Sequence, residues 1–286
     1  HKSQTPFLRP TRRQGLALAV GLLTLLGLAA GWGGRATFSS RAADWSAHDY
    51  AYQLATVDFP AQSQVIGLEG EISALRYMQA ANGLGLNARG VVANAAEARR
   101  TAIADAVAAG APVFITREVE GIGDAEPRRY AFSGAGPLVR VWPAGRVELP
   151  PLAHPVAYAL EGAPLVLHAA EWERNTLPGG PRLTLRLDWR ATAPLAAVYK
   201  LSLRLIDGAT GEVVQDRMGQ PIVADVYPLR QAALTPQWPV DAIVRDVHDL
   251  PLPATLPPEA RIQIVIYDAT TVVEAGRWET PLGDFD

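Results

Sequence analysis

The chain has no cysteine in its 286 residues. That excludes disulfide staples, thiolate metal sites, iron–sulfur clusters and CxxCH haem attachment. An extracytoplasmic body without disulfides has to hold its folds by packing alone, which domains of about 100 residues can do. Charge of either sign is also scarce. Lys and Arg number 26 against 29 Asp and Glu, for a net charge of −3. With no basic run interleaved with aromatics, there is no electrostatic case for nucleic acid. The sequence has no N-x-[ST] acceptor, internal repeat or low-complexity tract. Catalytic spacings are missing as well: no HExxH, no GxSxG elbow, no SxxK, and no GxGxxG at the end of a candidate strand. Neither a cofactor nor a metal is expected from these patterns.

What is present begins with an apolar run. Gly15 to Trp32 carries no charged residue and is bounded by Arg13 and Arg35. At about 1.5 Å per residue, roughly 20 residues span about 30 Å, the hydrocarbon thickness of a bilayer. A soluble buried helix usually keeps a polar stripe, and this one has none. The order of basic, apolar and small residues also resembles a secretory signal peptide, although the run is long for a signal core. Residues 15–34 therefore read as a single transmembrane helix in contact with membrane lipid. Lys2, Arg9, Arg12 and Arg13 precede it without an acid among them. Basic flanks stay inside, so residues 1–14 are expected in the cytoplasm and the remainder in the periplasm or outside the cell.

Residues 40–148 alternate between two periods. Ser46 to Val57 reads as a helix, with Tyr50 and Tyr52 covering its ends, stopped by Pro60. Gln64 to Leu68 is a buried strand, and Glu71 to Ala81 a helix with Ile72, Leu75 and Met78 on one face and Gly83 at its end. Gly90 to Val92 is a second strand. Asn94 with Glu97 three residues on has capping-box spacing for a helix running to Ala109. Val113 to Thr116 is a third strand. Strand–helix–strand–helix–strand in about 55 residues calls for a short parallel sheet with right-handed crossovers. Tyr130 to Phe132 and Leu138 to Trp142 then read as an antiparallel pair. Ligands of such sheets sit beyond the carboxyl ends of the strands. That rim carries Glu69, Glu71, Asn94 and Arg117, a carboxylate pair facing an arginine that suits a sugar or an anion. The competing interpretation is that these residues only cap helices and solvate an edge.

Beyond Pro150 and Pro151 the period becomes two. Leu183, Leu185, Leu187 and Trp189 alternate with Arg182, Thr184, Arg186 and Asp188, and Leu201, Leu203 and Leu205 with Lys200, Ser202 and Arg204. Each pattern is a strand with one buried and one wet face. Further strands are expected at Leu165 to Trp172, Glu212 to Gln215, Ile243 to Val247, Arg261 to Tyr267 and Val272 to Gly276. Seven or eight short strands with Pro- and Gly-rich turns predict an all-β sandwich over 150–286, immunoglobulin- or jelly-roll-like. Trp189 is in phase with buried leucines and reads as core. Trp172 is the tryptophan that suits stacking on a sugar ring, against the alternative of simple packing. Asp246 and Asp249 flank His248, but neighbours in sequence do not make a triad. Glu171 and Glu173 point to one side of a strand, which suits glycoside chemistry or plain solvation.

Two stretches resemble a known family. One is Val65 to Val92 with its EGEISALRYMQAANGL core, continuing through AGAPVFIT to GPLVRVWP. The other runs from LRLDWRA through YKLSLRLID, DGATGEVVQD and PIVADVYPLRQ to LPPEARIQIVIYD. Together they look like the C-terminal extracytoplasmic region of bacterial multi-pass, mannosyltransferase-like glycosyltransferases that use lipid-linked sugars, in filamentous phototrophic bacteria. The resemblance implies an α/β domain followed by a sandwich. It lends no catalytic residue, because the family's catalytic acid lies in a loop between early transmembrane helices and this chain has one such helix. Glu259 stands where that family has a glycine. The chain is then either the tail of a longer enzyme or a free-standing relative without the chemistry, and its own helix and basic flank favour the second. The expected role is a non-catalytic, membrane-anchored subunit bracing other membrane-protein subunits in a complex. The alternatives are the acceptor- or glycan-steering tail of a glycosyltransferase and a glycan-binding module.

Overall fold

The computed structural model describes residues 24, 45–117, 122, 129–217 and 219–283. Everything below concerns the compact unit Ser46–Asp286. The segment 15–34 expected to cross the membrane, and the flank 1–14, lie outside the described residues except for Thr24. Among the described residues no helix is long and apolar enough to cross a membrane.

Helix α1 (Ser46–Ala55) leads into β1 (Ser63–Gly67), α2 (Glu69–Asn82), β2 (Ala88–Val92), α3 (Ala96–Ala108) and β3 (Val113–Ile115), followed by β4 (Tyr130–Ala135) and β5 (Leu138–Pro143). The sheet order is β2-β1-β3-β5-β4. β1 is parallel to β2 and β3, and β5 is antiparallel to β3 and β4. Alternation along the strands gives each face its own core. Val65 and Phe114 join Leu54 of α1 and Ile72, Leu75 and Met78 of α2 on one side. Ile66, Val113 and Ile115 meet Ile103 of α3 on the other. Helix α2 ends as its glycine predicts: Gly83 adopts φ 66° and returns its N–H to the Gln79 carbonyl.

The start of α3 differs from expectation. Its N-cap is Ala95, which has no capping side chain. Asn94 instead accepts the N–H of Glu69 at 3.0 Å, capping α2, while Glu97 pairs with Arg100 within its own helix. The ends of β1 and β2 lie side by side, so the asparagine reaches an orphan amide of the neighbouring helix rather than of its own.

The remaining strands form two four-stranded antiparallel sheets, β10-β9-β12-β13 and β11-β8-β7-β6. They are β6 (His154–Ala159), β7 (Leu165–Leu177), β8 (Gly180–Ala191), β9 (Tyr199–Asp207), β10 (Val223–Val226), β11 (Ile243–Pro251), β12 (Ala260–Asp268) and β13 (Glu274–Pro281). The predicted leucine ladders and Trp189 are buried in one shared core with Ile262, Ile264 and Ile266. The chain is thus an α/β sheet followed by a β-sandwich. Glu212 to Gln215 makes only isolated bridges, not a strand. The final strand begins at Glu274, leaving Val272 in the turn before it, exposed at φ 59°. The two strands the pattern does not reveal, β6 and β10, are both edge strands, one with a proline inside it. Edges tolerate Pro and need no clean alternation.

The α/β sheet and the sandwich are packed tightly together. β4 lies against β11, and a Cβ added at Gly134 would sit 2.8 Å from the Val247 backbone nitrogen. Gly134→Val is therefore expected to force the two strands apart and to destabilise the body by about 1–3 kcal/mol, as overpacking does, read as a lower denaturant midpoint with an unchanged far-UV spectrum. Asp49 of α1 reaches across to accept the Gly179 N–H.

Candidate functional site: a cleft of mixed charge beside helix α1

The predicted rim is real as geometry, but it is largely closed on itself. One carboxylate oxygen of Glu71 accepts the Leu68 N–H at 2.9 Å and the Thr116 hydroxyl. The other accepts Nε and Nη2 of Arg117, at 3.0 and 2.5 Å. Burial works against the charge of Glu71, but the bonds from Thr116, Leu68 and Arg117 outweigh it and hold the carboxyl below its ordinary range. A depressed folded-state value means that the charge stabilises the fold above the ordinary glutamate value of about 4.3 and that this contribution is lost as pH falls through the folded value. Glu71→Gln is accordingly expected to lower the thermal midpoint at pH 7, with the gap to the wild type closing in acid. Glu69 is exposed and contributes its backbone N–H to Asn94. Of the four rim residues, the structure pairs Glu71 with Arg117 and Glu69 with Asn94.

Trp172 lies elsewhere, on β7 of the sandwich. It is half-buried against the core, its indole N–H donates to the Leu282 carbonyl at 3.1 Å, and His154 stacks on its ring at 5.1 Å between centroids. One face and the polar handle are thus taken. Glu171 and Glu173 both bind Arg186, at 3.0 and 3.1 Å, so that acid pair clamps a cross-strand arginine.

Tyr50 connects the rim to a second set of groups. Burial first, then the Glu71 carboxylate, push its phenol up to about 12, against the opposing pull of Arg230 and Arg117. Tyr50 lines a cleft of about 640 Å³ together with Arg182, Lys200, Tyr227, Arg230 and the carboxylates of Asp49, Asp225 and Asp249. Lys200 stands over the Tyr227 ring, 4.6 Å from its centroid. Arg230 belongs to an unusual turn: Leu229, Arg230 and Gln231 adopt φ of 51°, 50° and 66° in succession. A left-handed conformation costs an L-residue roughly 1–2 kcal/mol, and such strain persists only where its surroundings hold it. Here the holder is Asp246. Its buried carboxylate accepts the N–H of Leu229 at 2.9 Å and of Val247 at 3.0 Å and bonds to Nε2 of buried His248. The Asp–His pair singled out in the sequence is therefore the clamp of a turn. Asp249 is engaged too, accepting the Thr184 hydroxyl at 2.6 Å. No hydroxyl bonds to His248 among the described residues, and none of their His, Asp or Glu side chains group as a metal site.

The carboxylates of Glu71, Glu171, Glu173, Asp246 and Asp249 are thus committed to the protein itself. By contrast, the guanidinium groups of Arg182 and Arg230 and the Tyr50 hydroxyl have no hydrogen bond or ion pair among the described residues, and all three residues line one cleft. Sequence reasoning missed this cleft. Alternation had put Arg182 and Lys200 on wet faces, but nothing local joined them to α1 or to the turn at Arg230.

Fold and site together define an α/β-plus-sandwich body with one polar cleft beside helix α1, and no hydroxyl–histidine–carboxylate constellation among the described residues. Comparison of the chain with protein-family models and with curated proteins gives no match.

Proposed function

We propose that the chain is a non-catalytic, membrane-anchored subunit whose α/β and sandwich layers, displayed outside the membrane, bind and brace partners in a larger membrane complex. The observation that carries this reading is the division of labour among polar groups. Carboxylates that would do acid–base work are tied down: Glu71 to Arg117, Asp246 to the turn, and Glu171 and Glu173 to Arg186. Arg182, Arg230 and the Tyr50 hydroxyl, which are not so engaged among the described residues, share one cleft. The uncharged segment 15–34, with its basic flank, supplies the anchor. The reading predicts that mild-detergent purification brings down partner proteins in fixed ratio; a lone monomer at native expression would count against it.

The cleft also supports a second reading, a glycan-binding body. Tyr50, Tyr227 and the neighbouring carboxylates and cations offer the mixture of ring faces and hydrogen-bonding groups that polyhydroxylated ligands need. One face of Tyr227 lies under Lys200, as one face of Trp172 lies under His154, but the cleft adds cations and carboxylates beside its rings. On this reading Tyr50→Ala abolishes glycan-array binding and Trp172→Ala leaves it; the reverse pattern would move the site to the sandwich surface.

A further inference from the structure

We infer that the cleft contains an oxyanion subsite for an acidic saccharide, formed by Arg182, Lys200 and Arg230 with the Tyr50 hydroxyl as a neutral donor; this rests on the glycan reading of the same cleft. Four observations lead there. Three cationic side chains line one concave surface, half-buried, and the two arginines have no acid paired with them among the described residues. Asp49, Asp225 and Asp249 line the same cleft, but none of them bonds to either guanidinium among the described residues, and a guanidinium with no carboxylate in its fork is suited to carboxylate or phosphate, which it can grip with two parallel bonds. Arg230 is offered by three successive left-handed residues, a costly arrangement that the buried Asp246 maintains. Strain of this kind concentrates at ligand clamps. Finally, the Tyr50 phenol is held protonated well beyond neutral pH, so it can only donate to an anion beside it.

The same cleft decides what carries the anion. The Asp225 carboxylate has no hydrogen bond or ion pair among the described residues and sits on the wall with the cations. A polyanion such as an acidic peptide would meet its repulsion at each step. A ligand with one oxyanion and several hydroxyl donors satisfies both signs at once. Carboxylate and phosphate share this chemistry, so a uronate and a sugar phosphate are both admitted.

The test is titration calorimetry on the full chain in detergent with tri-galacturonate, glucose 6-phosphate, neutral maltotriose and a glutamate-rich peptide. At least one acidic sugar should bind tenfold or more tightly than maltotriose, weaken as salt rises, and lose that advantage in Arg230→Gln and Lys200→Gln proteins of unchanged thermal midpoint. Which acidic sugar binds distinguishes carboxylate from phosphate. Equal binding of acidic and neutral sugars would overturn the oxyanion subsite while leaving the glycan reading standing. Absence of all sugar binding would overturn both, and tightest binding of the peptide would replace the ligand class.

Discussion

Arg245→Ala is expected to destabilise the body by about 3–5 kcal/mol, the usual cost of orphaning one member of a buried ion pair. Arg245 and Asp188 face each other in register across β11 and β8. Two bonds of 2.7 and 2.8 Å join them, with side-chain exposures of 8% and 6%. The same guanidinium donates to the Pro150 carbonyl at 2.6 Å, so it also ties the proline segment between the two layers to the sandwich. Removing it strands a buried carboxylate and releases that segment. At a few degrees per kcal/mol for a body of this size, the thermal midpoint should fall by about 10 °C. The double variant Arg245→Met with Asp188→Leu should recover most of the loss, because two apolar side chains need no compensation. If the single variant melted like the wild type, the pair would contribute nothing and the joint between layers would have to be sought elsewhere.

Trp189→Ala should cost a similar amount, about 3–5 kcal/mol, by a different route. Its ring is fully buried where the leucine ladders of the two sheets meet. Deleting it loses the transfer free energy of the ring and leaves a cavity that strands on both sides cannot collapse to fill. The indole nitrogen has no hydrogen-bond partner among the described residues, so Trp189→Phe gives up no polar interaction with them. It should cost about 1–2 kcal/mol, for lost volume alone. Chemical unfolding of the three proteins reads the order directly. Equal losses for Phe and Ala would mean that the site tolerates no smaller ring and that packing around it is more rigid than the cavity argument assumes.

The parts that were legible in the sequence are those whose signal is local. The β1–α2–β2–α3–β3 succession follows from apolar spacing that switches between two periods, and the β8 and β9 ladders from strict alternation. Gly83 marks the end of α2 because a left-handed residue is needed there. Asn94 shows where this kind of reading stops. Its spacing to Glu97 predicts a cap for the helix that follows, but the amide it satisfies is that of Glu69, 25 residues upstream at the start of α2, a choice made by sheet geometry. The cleft was illegible for the same reason. Its members come from α1, β8, β9 and the turn after β10, and the turn itself is spelled Leu-Arg-Gln, with none of the Gly or Asn that usually signals positive φ. Sequence alone gives Asp246 and His248 no role, because their partner is the backbone of Leu229, which their own neighbours in sequence do not reveal.

The account as a whole depends on the folded body standing on the far side of a membrane from the basic flank. The lack of cysteine makes this directly measurable, since any introduced thiol is the only one in the chain. Tyr77, on α2 and 60% exposed, is a suitable site in the body, and Lys2 is the matching site in the flank. In intact cells a membrane-impermeant maleimide should label Tyr77→Cys and spare Lys2→Cys until the membrane is opened. Labelling of Lys2→Cys alone, or of neither before lysis, would place the body in the cytoplasm and contradict the account.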